Sequence, residues 1–270
     1  MKVEFRNEYG IKPPGSLVEI LSHPFHSNKS IEIAVFQEHR YAFFYWSKWR
    51  KELKSEISPC LVSLDWHQDL CFPCETEKKW LKNLNLENEG EVAFFSWAKL
   101  AGNNDGHILC AAYLNLIGNI YVHCRQGKFE SDWEDEKLID LYGNTHIIKK
   151  FKTYEALENC LLKSKEQDVY FDIDLDFFTL NNPYNNGRFE EKYRYLRQKN
   201  IIEMLNIDRP LIAWIFERLE GFTIATEPEH CGGLLKSNKL LDLINKIYFE
   251  PSLFTPMTCE WKHKKQKHYR

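Results

Sequence analysis

Short runs rich in β-branched and aromatic residues alternate with longer helical segments along this chain, and that alternation restricts the fold more than any other feature. The β-rich runs occupy residues 31–36, 60–65, 119–124, 145–151, 168–174 and 222–226. The separating segments with helical spacing of apolar residues include 153–164, 189–206 and 233–249. Strands that alternate with helices predict an α/β fold, in which a mostly parallel central sheet lies between two helical layers. At 270 residues, we expect a single domain over residues 1–270.

Acidic residues and histidines follow three of these predicted strands. Ligands of α/β sheets bind at the carboxyl ends of strands, which is where these residues lie. The set comprises His39 after the first run, Asp65, His67 and Asp69 after the second, and Asp172, Asp174 and Asp176 at the end of the fifth. Because side chains of an extended segment alternate between faces, residues 65, 67 and 69 are expected to point the same way. Buried carboxylates are costly unless they are paired or ligated, so the pattern predicts a metal site.

The type and number of these side chains indicate which ions they would bind. Carboxylate and imidazole ligands suit hard divalent cations, whereas structural zinc sites are rich in thiolates. Counting two of the three aspartates at the end of the fifth run, the six ligands are too many for one tetrahedral zinc, but they suit two ions about 3.5–4 Å apart that activate a water molecule between them. Two divalent ions, four aspartates and a hydroxide carry a net charge of about −1, which favours a cationic electrophile such as a guanidinium.

Two motifs resemble those of the arginase and deacetylase superfamily. The segment LDWHQD (64–69) is similar to its Asp-x-His-x-Asp motif, and YFDID (170–174) is similar to its Ser-Phe-Asp-x-Asp motif. Together, HQDL and DIDLDFF resemble a divergent branch that includes peptide arginases, which convert arginine to ornithine in ribosomally made peptides. The resemblance covers residues 39–174. It implies an arginase-like metallohydrolase fold with two Mn²⁺ ions per chain.

The resemblance also implies a role for each ligand. One manganese ion would be held by His39, Asp65, Asp69 and Asp172. The other would be held by Asp65, His67, Asp172 and Asp174, so that Asp65 and Asp172 bridge the ions. Asp174 would in addition orient the attacking water and take up its proton. The pair Asp174 and Asp176 remains an alternative, but YFDID matches the superfamily motif better and favours Asp172 and Asp174.

A polar loop flanked by glycines, GNNDGHI (102–108), is a candidate part of the substrate site. Its functional interpretation assigns substrate binding to Asn104 and Asp105, and proton transfer to the leaving amine to His107. The alternative is a turn followed by a helix cap.

A second loop, TEPEHCGG (226–233), follows the last predicted strand. The superfamily resemblance implies that a late glutamate holds the guanidinium, so Glu227 and Glu229 are both candidate substrate-binding residues. We favour Glu229 as the catalytic one, because Pro228 and the glycine pair predict a shaped loop around it.

The residues after Asp69 indicate which form of arginine the site accepts. Arginases that act on free arginine have a Thr/Ser/Asn-rich loop here, which binds the α-amino and α-carboxylate groups. This chain instead has LCFPCETEKKW (70–80), which is apolar and then charged. We therefore expect the partner to be an arginine-containing peptide, such as a precursor peptide of a ribosomal peptide natural product.

Composition excludes several other classes of protein. A formal net charge of −3 argues against a general nucleic-acid binder, and the basic stretch 261–270 is expected to be a solvated tail. The charged N-terminus does not resemble a signal peptide, and no apolar run approaches the length of a membrane helix. The eight cysteines are scattered, so reduced thiols are expected. These features predict a cytoplasmic protein without a membrane partner.

Two other functions are compatible with the same motifs. A zinc-dependent deacetylase of this superfamily would use one ion with an Asp-His-Asp set, which leaves His39 and Asp69 without a role. A non-catalytic scaffold would be expected to lack part of the ligand set, and no ligand is missing here. Metal stoichiometry distinguishes these alternatives from the amidinohydrolase.

Overall fold

The computed structural model describes residues 10–100, 104–126, 135–181 and 192–262. An eight-stranded sheet runs through these residues. Its strands are β1 (Leu17–Ser22), β2 (Ser30–Phe36), β3 (Cys60–Asp65), β4 (Ile120–Cys124), β5 (Glu136–Ile139), β6 (Thr145–Phe151), β7 (Val169–Asp174) and β10 (Leu219–Ala225). Two small antiparallel pairs lie outside it, formed by β8 (Thr179–Asn181) with β9 (Arg194–Tyr195) and by β11 (Phe249–Glu250) with β12 (Glu260–Trp261).

The strand order of the large sheet is β1-β2-β10-β7-β3-β4-β6-β5. The six inner strands are parallel, whereas β1 and β5 pair antiparallel at the two edges. Parallel strands are buried on both faces and therefore read as nearly continuous apolar runs. Strands β3 and β7 follow this rule, since every residue of both is buried.

Helices cover both faces of the sheet. One hydrophobic cluster contains residues of α1 (Ala42–Glu52), α2 (Glu75–Asn83), α3 (Glu89–Ala98) and α4 (His107–Tyr113). A separate cluster contains residues of α5 (Tyr154–Leu161), α6 (Gln198–Met204), α7 (Pro210–Glu217) and α8 (Leu234–Tyr248). Strand β7 contributes Tyr170 to the first cluster and Phe171 to the second, because successive side chains point to opposite faces. The predicted three-layer α/β fold is confirmed.

Most of the predicted elements are present, but one is wrong in part. All six β-rich runs form strands of the large sheet, and helices α5 and α8 lie within the predicted segments 153–164 and 233–249. The predicted helix 189–206 is instead strand β9 followed by the shorter helix α6, and its residues 189–191 lie outside the described ranges. The strand forms because Thr179 of β8 offers an antiparallel partner, and the hydroxyl of Tyr195 donates to Cys231 O (2.9 Å).

No helix among the described residues combines the length and the apolar character that crossing a bilayer requires. The basic stretch 263–270 lies outside the described residues.

Candidate metal centre

Four neighbouring strands, β2, β10, β7 and β3, bring the candidate site together at their carboxyl ends. Their register aligns Phe36 with Ala225 and Ala225 with Asp174, while Ser63 pairs with Asp172 one strand further on. Because the four strands are parallel, the residues that follow them emerge at one edge of the sheet. The side chains that converge there are His39, Asp65, Asp69, Asp174, Asp176 and Glu227.

The acidic residues converge through turns, and not through the extended alternation that the sequence predicts. Strand β3 ends at Asp65, whose Oδ1 accepts a hydrogen bond from His67 N (2.7 Å). Asp69 has a φ of 52°, in the left-handed region, which turns the chain back toward the sheet. Asp176 lies in a 3-10 helix, Leu175–Phe178, and its Oδ1 accepts from Trp66 N (3.1 Å). Each acidic cluster therefore reaches the site by its own turn.

His39 lies at the centre of this arrangement. It begins a short 3-10 helix after β2 and is fully buried. Its Nδ1 is 3.0 Å from Asp69 Oδ2, 3.4 Å from Asp174 Oδ2 and 3.5 Å from Asp65 Oδ2. One imidazole nitrogen that faces three carboxylates is an arrangement that a shared cation would stabilise.

Asp172 is placed differently from the prediction, and the structure argues against it as a metal ligand. Its Oδ1 accepts from Thr223 Oγ1 (2.6 Å), and its Oδ2 accepts from Ser63 Oγ (2.7 Å) and from His39 Nε2 (2.9 Å). These bonds occupy both oxygens inside the sheet. Asp172 instead orients His39, because the hydrogen bond from Nε2 turns Nδ1 toward the other carboxylates. The alternative pair, Asp174 and Asp176, belongs to the candidate metal groups at this strand end.

His67 forms the second part of the site. Its Nδ1 lies 3.3 Å from Asp176 Oδ2 and 3.7 Å from Asp65 Oδ1. The ring of His230 lies edge-on to it, with 5.1 Å between the ring centroids. His67, Asp176 and His230 form one group whose ligand atoms lie close enough together to hold an ion.

Several candidate metal groups share residues, which indicates that the site has room for more than one ion. His39 belongs to one group with Asp174 and Glu227, and to another with Asp69 and His107. A third group, Asp65 with Asp174 and Asp176, connects the His39 groups to the group around His67. The residues fit a pair of ions, with Asp65 and Asp174 between them.

Unsatisfied buried atoms support this interpretation. His39 Nδ1 and the Oδ2 atoms of Asp65, Asp174 and Asp176 are buried and form no hydrogen bond within the described residues. Buried polar atoms without partners are rare in folded proteins. Within the same residues, the ion pairs of the acidic ligands and of Glu227 are all with histidines. Divalent cations would satisfy the open atoms and neutralise the carboxylates together.

The pKa values of three carboxylates are raised, which also indicates that little positive charge lies near them. Burial, and then the charge of Asp65, raises the pKa of Asp69 to about 8. Burial and the neighbouring carboxylate of Asp176 raise the pKa of Asp174 well above its usual range, and burial with Asp65 does so for Asp176. In the absence of a metal, protons would therefore occupy positions that a cation takes when it binds.

Glu227, and not the favoured Glu229, lies at the site. Glu227 is buried with a φ of 27°, and its Oε1 accepts from His39 N (3.2 Å) and from Asn104 Nδ2 (2.6 Å). Glu229 is exposed two residues later, where its carbonyl accepts from the hydroxyl of Tyr193 (2.9 Å). The structure favours Glu227 over Glu229, because Thr226 N donates a hydrogen bond to Phe36 O (2.8 Å) and so holds the start of the loop to β2.

The candidate residues of the Gly-flanked loop lie in two different places. His107 is in the core, whereas Asn104 and Asp105 are at the surface of the site. His107 is fully buried, with its ring 4.4 Å from that of His39 and stacked at 5.6 Å on Trp46. Its Nδ1 donates to Asn104 O (3.0 Å), and burial lowers its pKa well below the usual value. His107 does not line the cavity, so the structure argues against it as a proton donor to the substrate. Asn104 and Asp105 do line it.

A cavity of about 290 Å³ opens onto the centre. Its walls contain the carboxylates of Asp69, Asp105 and Glu227, and none of the described residues that line it is a lysine or arginine. The other lining residues are His67, Gln68, Leu70, Cys71, Asn104, Gln126 and His230. The cavity is therefore suited to a small cationic group.

The candidate groups contain two residues that lie outside the ligand set favoured by the sequence. These residues are Asp176 and His230. Asp176 belongs to the same period-two run as Asp174, so its spacing was visible, but the hydrogen bonds that occupy Asp172 were not. His230 stands directly after the candidate Glu229, and only the turn that brings it beside His67 reveals its place.

No family model matches this sequence, and no curated protein matches it significantly.

The revised ligand set predicts different effects for two adjacent aspartates. Asp176→Asn should lower the manganese content below two ions per chain, because it removes a carboxylate from the cluster. Asp172→Asn should keep both ions but weaken binding by roughly 10–100-fold, because it disturbs only the orientation of His39. Elemental analysis and metal titration of both variants measure these effects. Loss of an ion in Asp172→Asn, with both retained in Asp176→Asn, would restore the original assignment.

The raised pKa values predict how pH affects the metal-free protein. Asp69 has a pKa of about 8 in the folded chain, compared with about 3.9 when unfolded, so its folded form binds the extra proton between these values. Stability should therefore fall as pH rises from about 4 to about 8. His67 acts in the same direction: hydrogen bonding to Asp65 and the charge of Asp176 outweigh burial and raise its pKa to about 10. Its stabilisation is lost as pH rises from about 6.5 to about 10.

Thermal unfolding with EDTA and with Mn²⁺ tests this prediction. Manganese at about 100 times its Kd should add about 2.7 kcal/mol, or roughly 5–10 °C in Tm. The increase in Tm should be larger near pH 8.5 than near pH 5.5. At the lower pH, about one proton per metal site competes with the ion for the carboxylates. An equal Tm with and without manganese at the higher pH would contradict the metal assignment.

Proposed function

We propose that this protein is a dinuclear manganese amidinohydrolase, which converts arginine side chains within a peptide to ornithine and releases urea. The observation that carries the proposal is the overlapping set of buried carboxylates and imidazoles, in which the ion pairs of the carboxylates among the described residues are all with histidines. The superfamily resemblance of the DWHQD and DIDLD segments agrees with it.

Ligand chemistry supports manganese as the cofactor, with two ions per chain. The revised set has four aspartates and two histidines, and none of the eight cysteines forms part of a candidate metal group among the described residues. Carboxylate-rich sites suit Mn²⁺, whereas thiolate-rich sites suit structural zinc. One ion would lie beside His39, Asp65, Asp69 and Asp174, and the other beside Asp65, His67, Asp174 and Asp176.

The charge of the cavity supports a guanidinium as the reacting group. Glu227 lies at its inner wall, where Asn104 Nδ2 and His39 N hold Oε1 in place. A buried carboxylate fixed in this way would accept hydrogen bonds from a planar cation. Asp105 adds a second carboxylate to the wall.

The chemistry follows from these positions. Two bound manganese ions would supply a water activated as a nucleophile at neutral pH. Glu227 would hold the guanidinium so that its carbon faces that water, and Asp174 would take up the proton of the water and pass it to the departing side-chain nitrogen. Addition of water to the carbon and cleavage of its bond to the side-chain nitrogen give urea and the amine of ornithine.

A peptide is favoured over free arginine because of the residues at the cavity wall. Leu70 and Cys71 line the wall where enzymes for free arginine place hydroxyl and amide groups. These two side chains give no compensation for desolvating a charged α-carboxylate. All eight cysteines are free thiols, which supports a reducing, cytoplasmic location.

Mass spectrometry of arginine peptides tests the proposal. After incubation with manganese-loaded protein, each modified arginine should lose the mass of CN₂H₂, and urea should appear in equal amount. Glu227→Gln should lower kcat/KM by roughly 30–1000-fold, because it removes the charge that pairs with a buried guanidinium. The matched control Glu229→Gln should stay within about twofold, because its side chain is exposed.

Two results would reject the proposal. One is an unchanged mass for every arginine peptide that is incubated with metal-loaded protein. The other is a single zinc ion per chain in active protein, which would favour amide hydrolysis by a deacetylase.

A further inference from the structure

Exposed aromatic side chains are concentrated in one part of this protein. Among the described residues, five aromatic side chains are largely exposed, and four of them lie between residues 72 and 97. These four are Phe72 (53% exposed), Trp80 (40%), Phe94 (52%) and Trp97 (48%), and we call them the aromatic rim. The fifth, Tyr142, follows β5 at the far edge of the sheet. Single exposed apolar residues are ordinary, but a concentration of large aromatic rings indicates an interaction surface.

The aromatic rim does not belong to the core of the protein. Helix α2 buries only Leu81, so Trp80 lies on a helix that is mostly exposed. Helix α3 packs through Val92 and Phe95 and turns Phe94 and Trp97 outward, with 6.0 Å between the ring centroids of that pair. These rings are thus placed outward by the same helical spacing that buries their neighbours.

The aromatic rim continues directly into the cavity. Phe72 follows Cys71, which lines the cavity together with Asn104 and Asp105. Cys71 connects the chain before Phe72 to Asp105, because its N donates to Asp105 O (2.8 Å) and its Sγ to Asp105 Oδ2 (3.3 Å). Lys99 Nζ lies over the ring of Trp80 at 5.1 Å, which connects α2 to the end of α3. A chain that leaves the cavity across Cys71 therefore comes next to Phe72, the member of the aromatic rim that adjoins the cavity.

We propose that the aromatic rim binds apolar or aromatic residues that flank the target arginine in an extended peptide. This inference rests on the proposed function, and it adds a preference for the sequence around the arginine. An extended peptide presents alternate side chains to the surface beneath it, so flanking Leu or Phe residues would stack on the rings. The rings and the cavity then bind different parts of one substrate.

Two capped peptides of about ten residues, each with one central arginine, test the preference. One carries Leu and Phe on both sides of the arginine, and the other carries Ser. The manganese-loaded protein should process the Leu/Phe peptide with a kcat/KM roughly tenfold higher, given the strength of aromatic contacts. Trp80→Ser with Trp97→Ser should remove this advantage and leave N-acetyl-arginine amide, which is too short to reach the rings, within about twofold of the wild type. Tyr142→Ser is the matched control and should keep the advantage.

Binding of the same peptides, labelled with fluorescein, separates this inference from the proposed function. The metal-loaded protein should bind the Leu/Phe peptide more tightly than the Ser peptide, and the double variant should lose this difference, whether or not turnover occurs. Turnover of arginine without any preference between the peptides would overturn the inference and leave the proposed function standing. A dimer in solution that the double variant abolishes would overturn it as well, because the aromatic rim would then bind a second copy of the chain.

Discussion

Unbalanced negative charge at the carboxyl ends of four parallel strands is the constraint on which the rest of this site depends. The parallel register brings carboxylates from β3, β7 and the loop after β10 to one edge of the sheet, where burial deprives them of water. A group of buried carboxylates without cations is strongly unfavourable. Histidines supply part of the compensation, and His39 alone faces three of the acidic side chains. Bound metal would supply the remainder.

The sheet itself contributes to the chemistry through Asp172. Ser63 on β3 and Thr223 on β10 hold this carboxylate from the two neighbouring strands, and it in turn holds His39. Three strands therefore determine the direction of a single imidazole nitrogen. Such support would orient His39 as a metal ligand, and it explains why a strand in the middle of the core contains an aspartate.

Sequence reasoning could predict the sheet and the region of the site, since both depend on local pattern. Continuous apolar runs such as CLVSLD (60–65) identify buried parallel strands, and the carboxyl ends of such strands are where ligands bind. It could not choose between Asp172 and Asp176, because the spacing of the run is the same for both. The choice depends on hydroxyls that two other strands bring to Asp172.

The same limitation explains the other differences. Glu227 and Glu229 are equivalent in a sequence, but a hydrogen bond between the loop and β2 carries only Glu227 into the cavity. His107 looks like a loop residue beside glycines, yet it starts a helix and packs under His39. Turns and long-range hydrogen bonds decide these positions, and they involve residues far apart in the chain.

Anomalous scattering from crystals grown with Mn²⁺ tests the central claim most directly. The account predicts two peaks at the carboxyl ends of β3 and β7, one beside His39 Nδ1 and the other beside His67, with Asp172 bound to neither ion. A single peak, no peak, or an ion bound to Asp172 in place of Asp176 would contradict it.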